Sequence, residues 1–376
     1  MGYNALVSFV VDFCRWWSEN MKSLRIVVVG AGAIGGWVGG RLALDGHKVT
    51  LVGRERLAEA VAANGLRLRS PDDEVTVSDV RVVTSIAGAA PHGPFDLALF
   101  TVKTFDTDAA IAEVNELMGA WGEPVILSLQ NGVRSEEALA QAFGAERVVA
   151  GTELNPISTP QPGVIVLEKW RGGVGLAPVV SGTSVERWVR VFDNAVLPTR
   201  AYADYRAMKW SKLMLNLIGN ASAAILDMST VEVFDDPRLF RLEMDMLRET
   251  AAVMRGLGLR PVKLPGYPTP LLAWGARRAP FFVLRPVMRK MVAGGRGTKP
   301  PSLLLELRRG RRRSEVADLN GAVVRAGEQV GLSTPVNRAL SETLTRLVEG
   351  QIQWDSVRRQ PEVLLTIAAE MRRKER

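Results

Sequence analysis

A run of apolar, β-branched residues leads directly into a Gly-x-Gly-x-x-Gly motif near the start of the chain. The run covers residues 26–29, and the glycines of the motif are Gly30, Gly32 and Gly35. A helix-length segment and a second apolar run at 49–52 follow in the order that a dinucleotide-binding βαβ unit requires. In such a unit the first glycine permits a tight turn, the second lets the backbone approach a pyrophosphate, and the third lets the helix pack closely on the strand. The sequence therefore predicts a dinucleotide-binding fold here.

The turn and the helix start in this motif are expected to hold the phosphates of the cofactor. Backbone amides at a helix start are exposed and lie at the positive end of the helix dipole, which favours an anion. The cofactor-binding residues predicted on this basis form one continuous segment: Gly30, Ala31, Gly32, Ala33, Ile34 and Gly35.

The end of the second strand indicates which dinucleotide is bound. Enzymes that use NAD usually place an Asp or Glu about 20 residues after the glycine motif, where it binds the ribose 2′-hydroxyl. Here Gly53 occupies that position and Arg54 follows it. A guanidinium without a carboxylate before it suits a 2′-phosphate better than a free hydroxyl, so we predict NADPH as the cofactor. Two alternatives stay open: Glu55 turns inward instead, or Arg54 is an ordinary solvated arginine.

Strand-like and helical segments alternate through the first half of the chain. This alternation predicts an α/β fold with an N-terminal Rossmann-type doubly wound sheet over 23–198, the NADP-binding domain. Its further strands are predicted at 79–83, 95–102, 124–129 and 147–151, its helices at 107–120 and 135–143, and a short-stranded extension of the sheet at 163–176. Residues 1–22 do not fit the pattern and are either a misassigned start or a short surface helix.

The periodicity of the apolar residues changes to 3.6 beyond Pro198, which predicts a C-terminal all-helical domain over 199–376. Its helices are predicted at 207–226, 237–257, 314–330 and 337–350. Clefts between two such domains are where cofactors and substrates usually meet.

Composition excludes several other classes of protein. The chain has 376 residues, 47% of them apolar, and no run reaches the ~18 apolar residues of a membrane span. The formal charge of +8 is not accompanied by zinc-ligand spacing, a helix-turn-helix pattern or an aromatic-basic stacking motif, so nucleic acid is not an expected partner. The single cysteine, Cys14, excludes an internal disulfide and suits a reducing cytoplasm. With only His47 and His92, no histidine-based metal site is expected.

Three polar residues interrupt an otherwise apolar helical segment in the second half of the chain. Lys212, Asn216 and Asn220 are spaced i, i+4 and i+8, which places them on one face of a continuous helix. A buried ammonium and two buried amides would be costly without partners. A stripe that faces a cleft and offers a proton and amide hydrogen bonds to a substrate explains them; the alternative is a solvent-facing stripe.

Two more candidates follow strands of the predicted sheet. Lys103 comes after the strand at 95–102, and Asn131 and Gly132 come after the strand at 124–129. Ligands of open α/β sheets bind at the carboxyl ends of the strands, so both positions are candidates. The alternatives are a loop cation for Lys103 and an Asn-Gly turn dipeptide.

Glu315 follows Ser314, a plausible N-cap, at the start of a predicted helix. A carboxylate at this position is also favoured by the helix dipole alone, so its role stays open at this point.

Taken together, these motifs make the chain resemble the ketopantoate reductase (2-dehydropantoate 2-reductase) family. The matching pieces occur in the family's order: GAGAIGG at 30–36, VK at 102–103, QNG at 130–132, KLMLNLIGN at 212–220, PSLLLEL at 301–307, RSEVADLNG at 313–321 and TPVN at 334–337. The resemblance implies a Rossmann domain followed by a helical domain, NADPH as hydride donor and a 2-oxo acid as substrate.

The resemblance also implies roles for individual residues. Lys212 matches the family's catalytic lysine, which protonates the carbonyl oxygen as hydride arrives, and Glu315 would orient the substrate. The other matched positions are Asn216 and Asn220 for substrate hydroxyls, Ser302 for the carboxylate, and Asn131 and Lys103 for the nicotinamide end.

Departures from the family pattern leave alternatives open. A basic insertion at about 262–300 has an apolar helical face and is interpreted as a lid or an oligomer contact such as a homodimer interface, ahead of a membrane-surface helix. Residues 255–305 carry ten basic side chains and no acidic one. Leu305 and Glu306 stand where the family commonly has Gln-Asp. The alternatives to a ketopantoate reductase are a dehydrogenase of another 2-oxo or 3-hydroxy acid and a non-catalytic NADP sensor.

Overall fold

The computed structural model describes residues 23–295, 300–310 and 312–375. The proposed N-terminal extension 1–22 and residues 296–299 of the basic insertion lie outside these ranges. The strands are β1 Arg25–Val29, β2 Lys48–Val52, β3 Leu66–Arg69, β4 Glu74–Val77, β5 Arg81–Val83, β6 Leu97–Phe100, β7 Val125–Ser128, β8 Val148–Glu153, β9 Ile157–Gln161, β10 Val164–Leu167, β11 Val174–Pro178 and β12 Thr199–Ala201.

The main sheet has eight strands in the order β12-β11-β8-β7-β6-β1-β2-β5. All neighbouring strands in it are parallel except β8 and β11, which are antiparallel. Helices that follow its strands are α1 Ala33–Leu44, α2 Glu55–Asn64, α3 Thr107–Trp121, α4 Ser135–Phe143 and α5 Glu186–Asn194.

Helices cover both faces of this sheet, which confirms the predicted doubly wound α/β fold. Successive residues of a strand point to opposite faces. In β1, Ile26 and Val28 pack in one core with α1, α2 and α5, whereas Val27 and Val29 pack in another with α3 and α4. Burial on both faces is the reason that β1 is an unbroken apolar run and not an alternating one.

A second sheet of four strands, β4-β3-β10-β9, was not predicted. The expectation that 163–176 extends the main sheet is wrong for β10, which pairs in parallel with β3; only β11 joins the main sheet. Glycines of α1 make room for this second layer. A Cβ on Gly36 would lie 2.9 Å from Ile165, and one on Gly40 would lie 2.9 Å from Leu68.

β12 lies within the predicted all-helical domain 199–376 but belongs to the main sheet; from Tyr205 onward the described residues are mainly helical. The helices are α6 Tyr205–Leu217, α7 Ala221–Leu226, α8 Thr230–Asp235, α9 Pro237–Gly256, α10 Thr269–Arg278, α11 Phe281–Gly295, α12 Ser302–Arg308, α13 Asn320–Gln329, α14 Pro335–Val348 and α15 Pro361–Lys374. They enclose a third apolar core of their own. Among the described residues, no helix is both long and apolar enough to cross a membrane.

The basic insertion forms α10 and α11 and packs on the helical domain. Met288 and Val292 of α11 are buried in its core, with Phe281, Leu284 and Met291 packed against it. The predicted apolar face of this helix therefore lies inward. Other apolar side chains of the insertion are exposed: Leu271, Trp274, Phe282, Val283 and Val287.

Candidate active site

The glycine motif forms the expected turn between β1 and α1. Gly30 has a φ of +103°, and a Cβ there would lie 2.7 Å from the backbone nitrogen of Val102. At Gly35 a Cβ would lie 2.4 Å from Oγ1 of Thr101, so only glycine permits this approach of helix to strand. The positive φ of Gly30 and the close packing of Gly35 match the roles predicted from the sequence.

The start of α1 suits a pyrophosphate. Gly32, the N-cap, is exposed, and nothing lies within 4 Å of where its Cβ would stand. No side chain caps this helix, and its first turn carries no acidic residue. The amides of the first turn are therefore open to an anion, with no competing carboxylate.

Arg54 is exposed and stands at the N-cap of α2, directly after β2. Gly53 brings this corner close to the glycine turn, because a Cβ on Gly53 would lie 3.4 Å from Cβ of Ala31. Arg54 therefore follows a residue that lies against the glycine turn, near where the adenosine ribose of a dinucleotide lies in this class of fold.

The predicted helix 207–226 is broken between α6 and α7, so the expectation of one continuous stripe is wrong. Gly219 has a φ of +52°, and its amide donates a hydrogen bond of 2.7 Å to the buried carboxylate of Glu243. The same carboxylate accepts a hydrogen bond from the hydroxyl of Ser222. A Cβ on Gly219 would lie 2.1 Å from Cγ2 of Thr230, so the break depends on glycine at this position.

Asn220 remains in the site in spite of the break, and its side chain also makes hydrogen bonds that connect neighbouring helices. Its Oδ1 accepts a hydrogen bond of 3.2 Å from the amide of Leu303, at the start of α12. Its Nδ2 donates to the carbonyl of Asn216 at 3.0 Å and to Oγ of Ser302 at 3.3 Å. Asn220 thereby ties α6, α7 and α12 together at one point.

A cavity of about 240 Å³ lies where the two domains meet. Six of the predicted site residues line it: Ile34 of the glycine turn with Asn131, Lys212, Asn216, Asn220 and Ser302. Met291 and Val292 of the basic insertion form part of its wall. One ammonium and three amide side chains therefore converge beside the turn that suits a pyrophosphate.

The loop after β7 is fixed from several sides. Gly132 has a φ of +83°, so the Asn-Gly pair does form a turn, yet Oδ1 of Asn131 also accepts a hydrogen bond of 3.1 Å from Nδ2 of Asn216. The buried ammonium of Lys209 donates to the carbonyl of Gln130 at 2.6 Å and pairs with Glu136 at 2.7 Å. This pair was not predicted from the sequence, although a lysine and a glutamate within apolar segments are a signal of burial with a partner.

Lys103 and Glu315 lie together but outside the cavity lining. The ammonium of Lys103 pairs with Glu315, and it lies 2.9 Å from Oε1 of Glu306. Burial alone would lower the pKa of Lys103, but the two carboxylates more than offset this and raise it. Burial raises the pKa of Glu315 against the pull of the ammonium. Glu315 lies in a 3₁₀ turn, Glu315–Asp318, and not in the predicted α-helix.

Glu153 is a cavity residue that the sequence analysis missed. It is the last residue of β8, its side chain is buried, and it lines the cavity together with Lys212. Burial raises its pKa to about 7, against the lowering effect of its own hydrogen bonds and of Lys212. The signal was present, because β8 ends at the same edge of the sheet as the strands before Lys103 and Asn131.

No metal site accompanies these groups: within the described part of the chain, no cluster of three or more His, Cys, Asp or Glu side chains is arranged to hold an ion.

The fold and the cavity together define a two-domain protein of the nicotinamide-dependent oxidoreductase class. A sequence model described as "Ketopantoate reductase PanE/ApbA" matches residues 26–179, and its C-terminal counterpart matches residues 204–348. The chain belongs to the ketopantoate reductase family, whose members are oxidoreductases that act on CH–OH groups.

Relatives extend over most of the chain. The 2-dehydropantoate 2-reductase of Pyrococcus horikoshii is 29% identical over 321 residues, which cover 84% of this chain and 94% of the relative. The enzyme of the same name from Archaeoglobus fulgidus is 29% identical over 336 residues, covering 88% of this chain and 98% of the relative.

Solved structures are also similar to this chain over most of its length. A PanE/ApbA family ketopantoate reductase from Ralstonia eutropha JMP134 has a TM-score of 0.72 and 27% identity, covering 87% of this chain and 99% of that one. D-mandelate dehydrogenase, solved with NADH and anilino(oxo)acetate, has a TM-score of 0.73 over 87% of this chain and 99% of that one. At 18% identity, this second likeness concerns the fold alone.

Proposed function

We propose that this protein reduces a 2-oxo acid to the 2-hydroxy acid with NADPH, and that 2-dehydropantoate (ketopantoate) is its substrate, which would place it in pantothenate biosynthesis. The observation that carries the proposal is the convergence of Lys212 and three amide side chains in one cavity beside the glycine turn. The names of the relatives from Pyrococcus horikoshii and Archaeoglobus fulgidus support this choice of substrate.

Lys212 is the acid of the proposed reaction. A bound reduced nicotinamide supplies the hydride that adds to the carbonyl carbon of the substrate. Negative charge then develops on the carbonyl oxygen, where an adjacent ammonium stabilises it and donates a proton. Asn131 and Asn216 are already hydrogen-bonded to each other, so their amides form an organised wall beside the Lys212 ammonium.

The other predicted residues receive supporting roles. Asn216 and Asn220 bind substrate hydroxyls, Ser302 binds the carboxylate, and Asn131 lies at the nicotinamide end. We place Lys103 and Glu315 beside the nicotinamide end as a pair, with Glu315 orienting the substrate, because the ion pair bridges the loop after β6 and the 3₁₀ turn of the helical domain. In this proposal the Lys103–Glu315 ion pair has its role, the orientation of the substrate by Glu315, once cofactor and substrate are bound.

NADPH is proposed over NADH because Arg54 is exposed beside the glycine turn and Gly53 supplies no carboxylate. The single cysteine, Cys14, is consistent with a reducing cytoplasm. We also propose a homodimer, and the observation that supports it is the set of exposed apolar side chains on the basic insertion.

A second candidate is the reduction of a different 2-oxo acid. Three residues of the cavity wall favour this second candidate: Glu153 and the insertion residues Met291 and Val292. They contribute to the surface that would contact the substrate side chain. The fold likeness to D-mandelate dehydrogenase makes aryl 2-oxo acids a reasonable comparison set.

The test is loss of the reduced-nicotinamide absorbance with purified protein and a panel of acids. Ketopantoate, 3-methyl-2-oxobutanoate and phenylglyoxylate are each supplied with NADPH, and the preferred acid is repeated with NADH. We expect ketopantoate with NADPH to give the highest kcat/KM. Turnover of another acid would replace the substrate and keep the reaction. Tight NADPH binding without turnover of any acid would contradict the proposed function and favour a sensor.

A further inference from the structure

Glu153 is a carboxyl group in the cavity to which none of the proposed catalytic steps assigns a role. It is 5% exposed and is the last residue of β8, so it is fixed by the main sheet and not by a mobile loop. The cavity lining contains Glu153 and the proposed acid, Lys212, together. A carboxyl group so deeply buried is costly unless both oxygens find partners.

The two oxygens of Glu153 differ in their hydrogen bonds, while the side chain of Asn155 and the charge of Lys212 both act to lower the pKa of the carboxyl. Oε1 of Glu153 accepts hydrogen bonds from the backbone amides of Leu154 at 3.0 Å and Asn155 at 2.8 Å. Oε2 is buried and has no hydrogen-bond partner among residues 23–295, 300–310 and 312–375. A buried acceptor without a partner is costly, and a bound ligand removes this cost by donating a hydrogen bond.

The charges around Glu153 limit what that ligand can be. Lys212 and Arg171 line the same cavity, and the guanidinium of Arg171 lies 4.9 Å from the ring centroid of Tyr267, which lines it as well. The carboxylate of a 2-oxo acid is attracted by the two cations and repelled by Glu153. In its ionised form, Oε2 of Glu153 can only accept a hydrogen bond and repels a carboxylate, so the group that suits it is a neutral hydrogen-bond donor.

We propose that Glu153 is a specificity-determining residue that accepts a hydrogen bond from a hydroxyl on the side chain of the 2-oxo acid. This proposal rests on the proposed function and names the residue that recognises the side-chain hydroxyl of the substrate. The free oxygen then gains its missing partner, and Ser302, the residue proposed for the carboxylate, binds the other end of the substrate.

The test compares two acids that differ by one hydroxyl, ketopantoate and 3,3-dimethyl-2-oxobutanoate. Their ratio of kcat/KM is measured in wild type, Glu153→Leu and Glu153→Gln, with exposed Glu116→Gln as the control. A site that hydrogen-bonds a substrate hydroxyl discriminates strongly against the analogue that lacks it. We expect a ratio of at least about 30 in wild type and Glu116→Gln, and a ratio within about threefold of one in Glu153→Leu.

The ratio separates recognition from a merely structural role. Loss of folded protein lowers both rates equally and leaves the ratio unchanged. Glu153→Gln keeps one oxygen for the two backbone amides and replaces the free oxygen by an NH₂ donor, so its ratio should fall by about 3- to 10-fold even where Glu153→Leu does not fold.

Two results would overturn the role of Glu153 while leaving the reductase intact: a wild-type ratio near one, or a ratio that stays at the wild-type value in both variants. Absence of turnover with either acid in wild type would instead overturn the proposed function on which this inference rests.

Discussion

Arg54 carries the proposed choice of cofactor at the scale of a single residue. It is exposed at the N-cap of α2, and the residue before it is a glycine where NAD enzymes usually have a carboxylate. A phosphate bound by a guanidinium contributes a charge-assisted hydrogen bond, whereas a ribose hydroxyl offers no charge. The discrimination between the two cofactors should therefore depend on this side chain.

Arg54→Ala should raise the Kd for NADPH by about 10- to 100-fold and change the Kd for NADH by less than about threefold, because only NADPH carries the 2′-phosphate. Titration of protein fluorescence measures both. Arg56→Ala is the matched control, since Arg56 is exposed two residues further along. An equal increase in Kd for both cofactors in Arg54→Ala would mean that Arg54 does not recognise the 2′-phosphate.

Single residues with an unusual chemical type were the most predictable part of the site. Lys212, Asn216 and Asn131 stood out as polar groups at helix or strand positions, and the cavity brings them together. Glu153 was missed because it ends the buried run of β8, where a carboxylate contributes nothing to the strand pattern. Its place at the carboxyl end of a parallel strand was a signal, but its burial depends on how β8, the loop after it and α6 meet.

At the scale of elements, the sequence located α3, α4, α9 and α14 to within about two residues, but it missed α8 and α15 and the interruption of the predicted helix 207–226. The predicted helix 207–226 became α6 and α7 because Gly219 adopts a positive φ and Glu243 of α9 accepts its amide. A lone glycine is tolerated within many helices, so periodicity alone does not indicate a break. The deciding contact comes from a residue 24 positions away.

Another long-range carboxylate organises the start of α14. Glu249 of α9 accepts hydrogen bonds from the backbone amides of Val336 at 2.8 Å and Asn337 at 2.9 Å. The N-cap of α14, Thr334, makes no side-chain cap. Two orphan amides of this helix are therefore satisfied by a different helix, which joins α9 to α14 as well as capping it.

Glu249→Ala should lower the free energy of unfolding by about 1.5–3 kcal/mol, because both amides lose their acceptor. Urea unfolding followed by tryptophan fluorescence measures the change. Glu342→Ala is the control: Glu342 lies on α14, is 54% exposed, and its ion pair with Arg338 is 3.9 Å long, so its removal should cost less than about 0.5 kcal/mol. Equal stability of the two variants would show that the cap contributes little.

At the scale of the whole molecule, polar contacts join the two domains beside the cavity. Lys103 after β6 reaches Glu306 and Glu315, and Arg313 donates a 2.7 Å hydrogen bond to the carbonyl of Phe105. Lys209 of α6 reaches the carbonyl of Gln130. The proposed acid and the glycine turn belong to different domains, so these contacts set the distance across which the proposed hydride transfer occurs.

The two-domain architecture could be predicted from the sequence, but the second, four-stranded sheet could not. Alternating strands and helices followed by helices alone indicated the two domains, because each pattern has its own period. The second sheet was missed because β3 and β10 are short, lie about a hundred residues apart in the chain, and pair only once α1 presents its glycines to them. Such pairing depends on the tertiary fold.

The most direct test of the central claim is the turnover number of Lys212→Ala beside wild type and Lys48→Ala. Lys48 is exposed at the amino end of β2, at the opposite edge of the sheet from the cavity. Loss of the acid should lower kcat by about 10²–10⁴-fold with NADPH affinity unchanged, whereas Lys48→Ala should behave as wild type. Near-normal turnover in Lys212→Ala would contradict the assignment of this lysine as the proton donor.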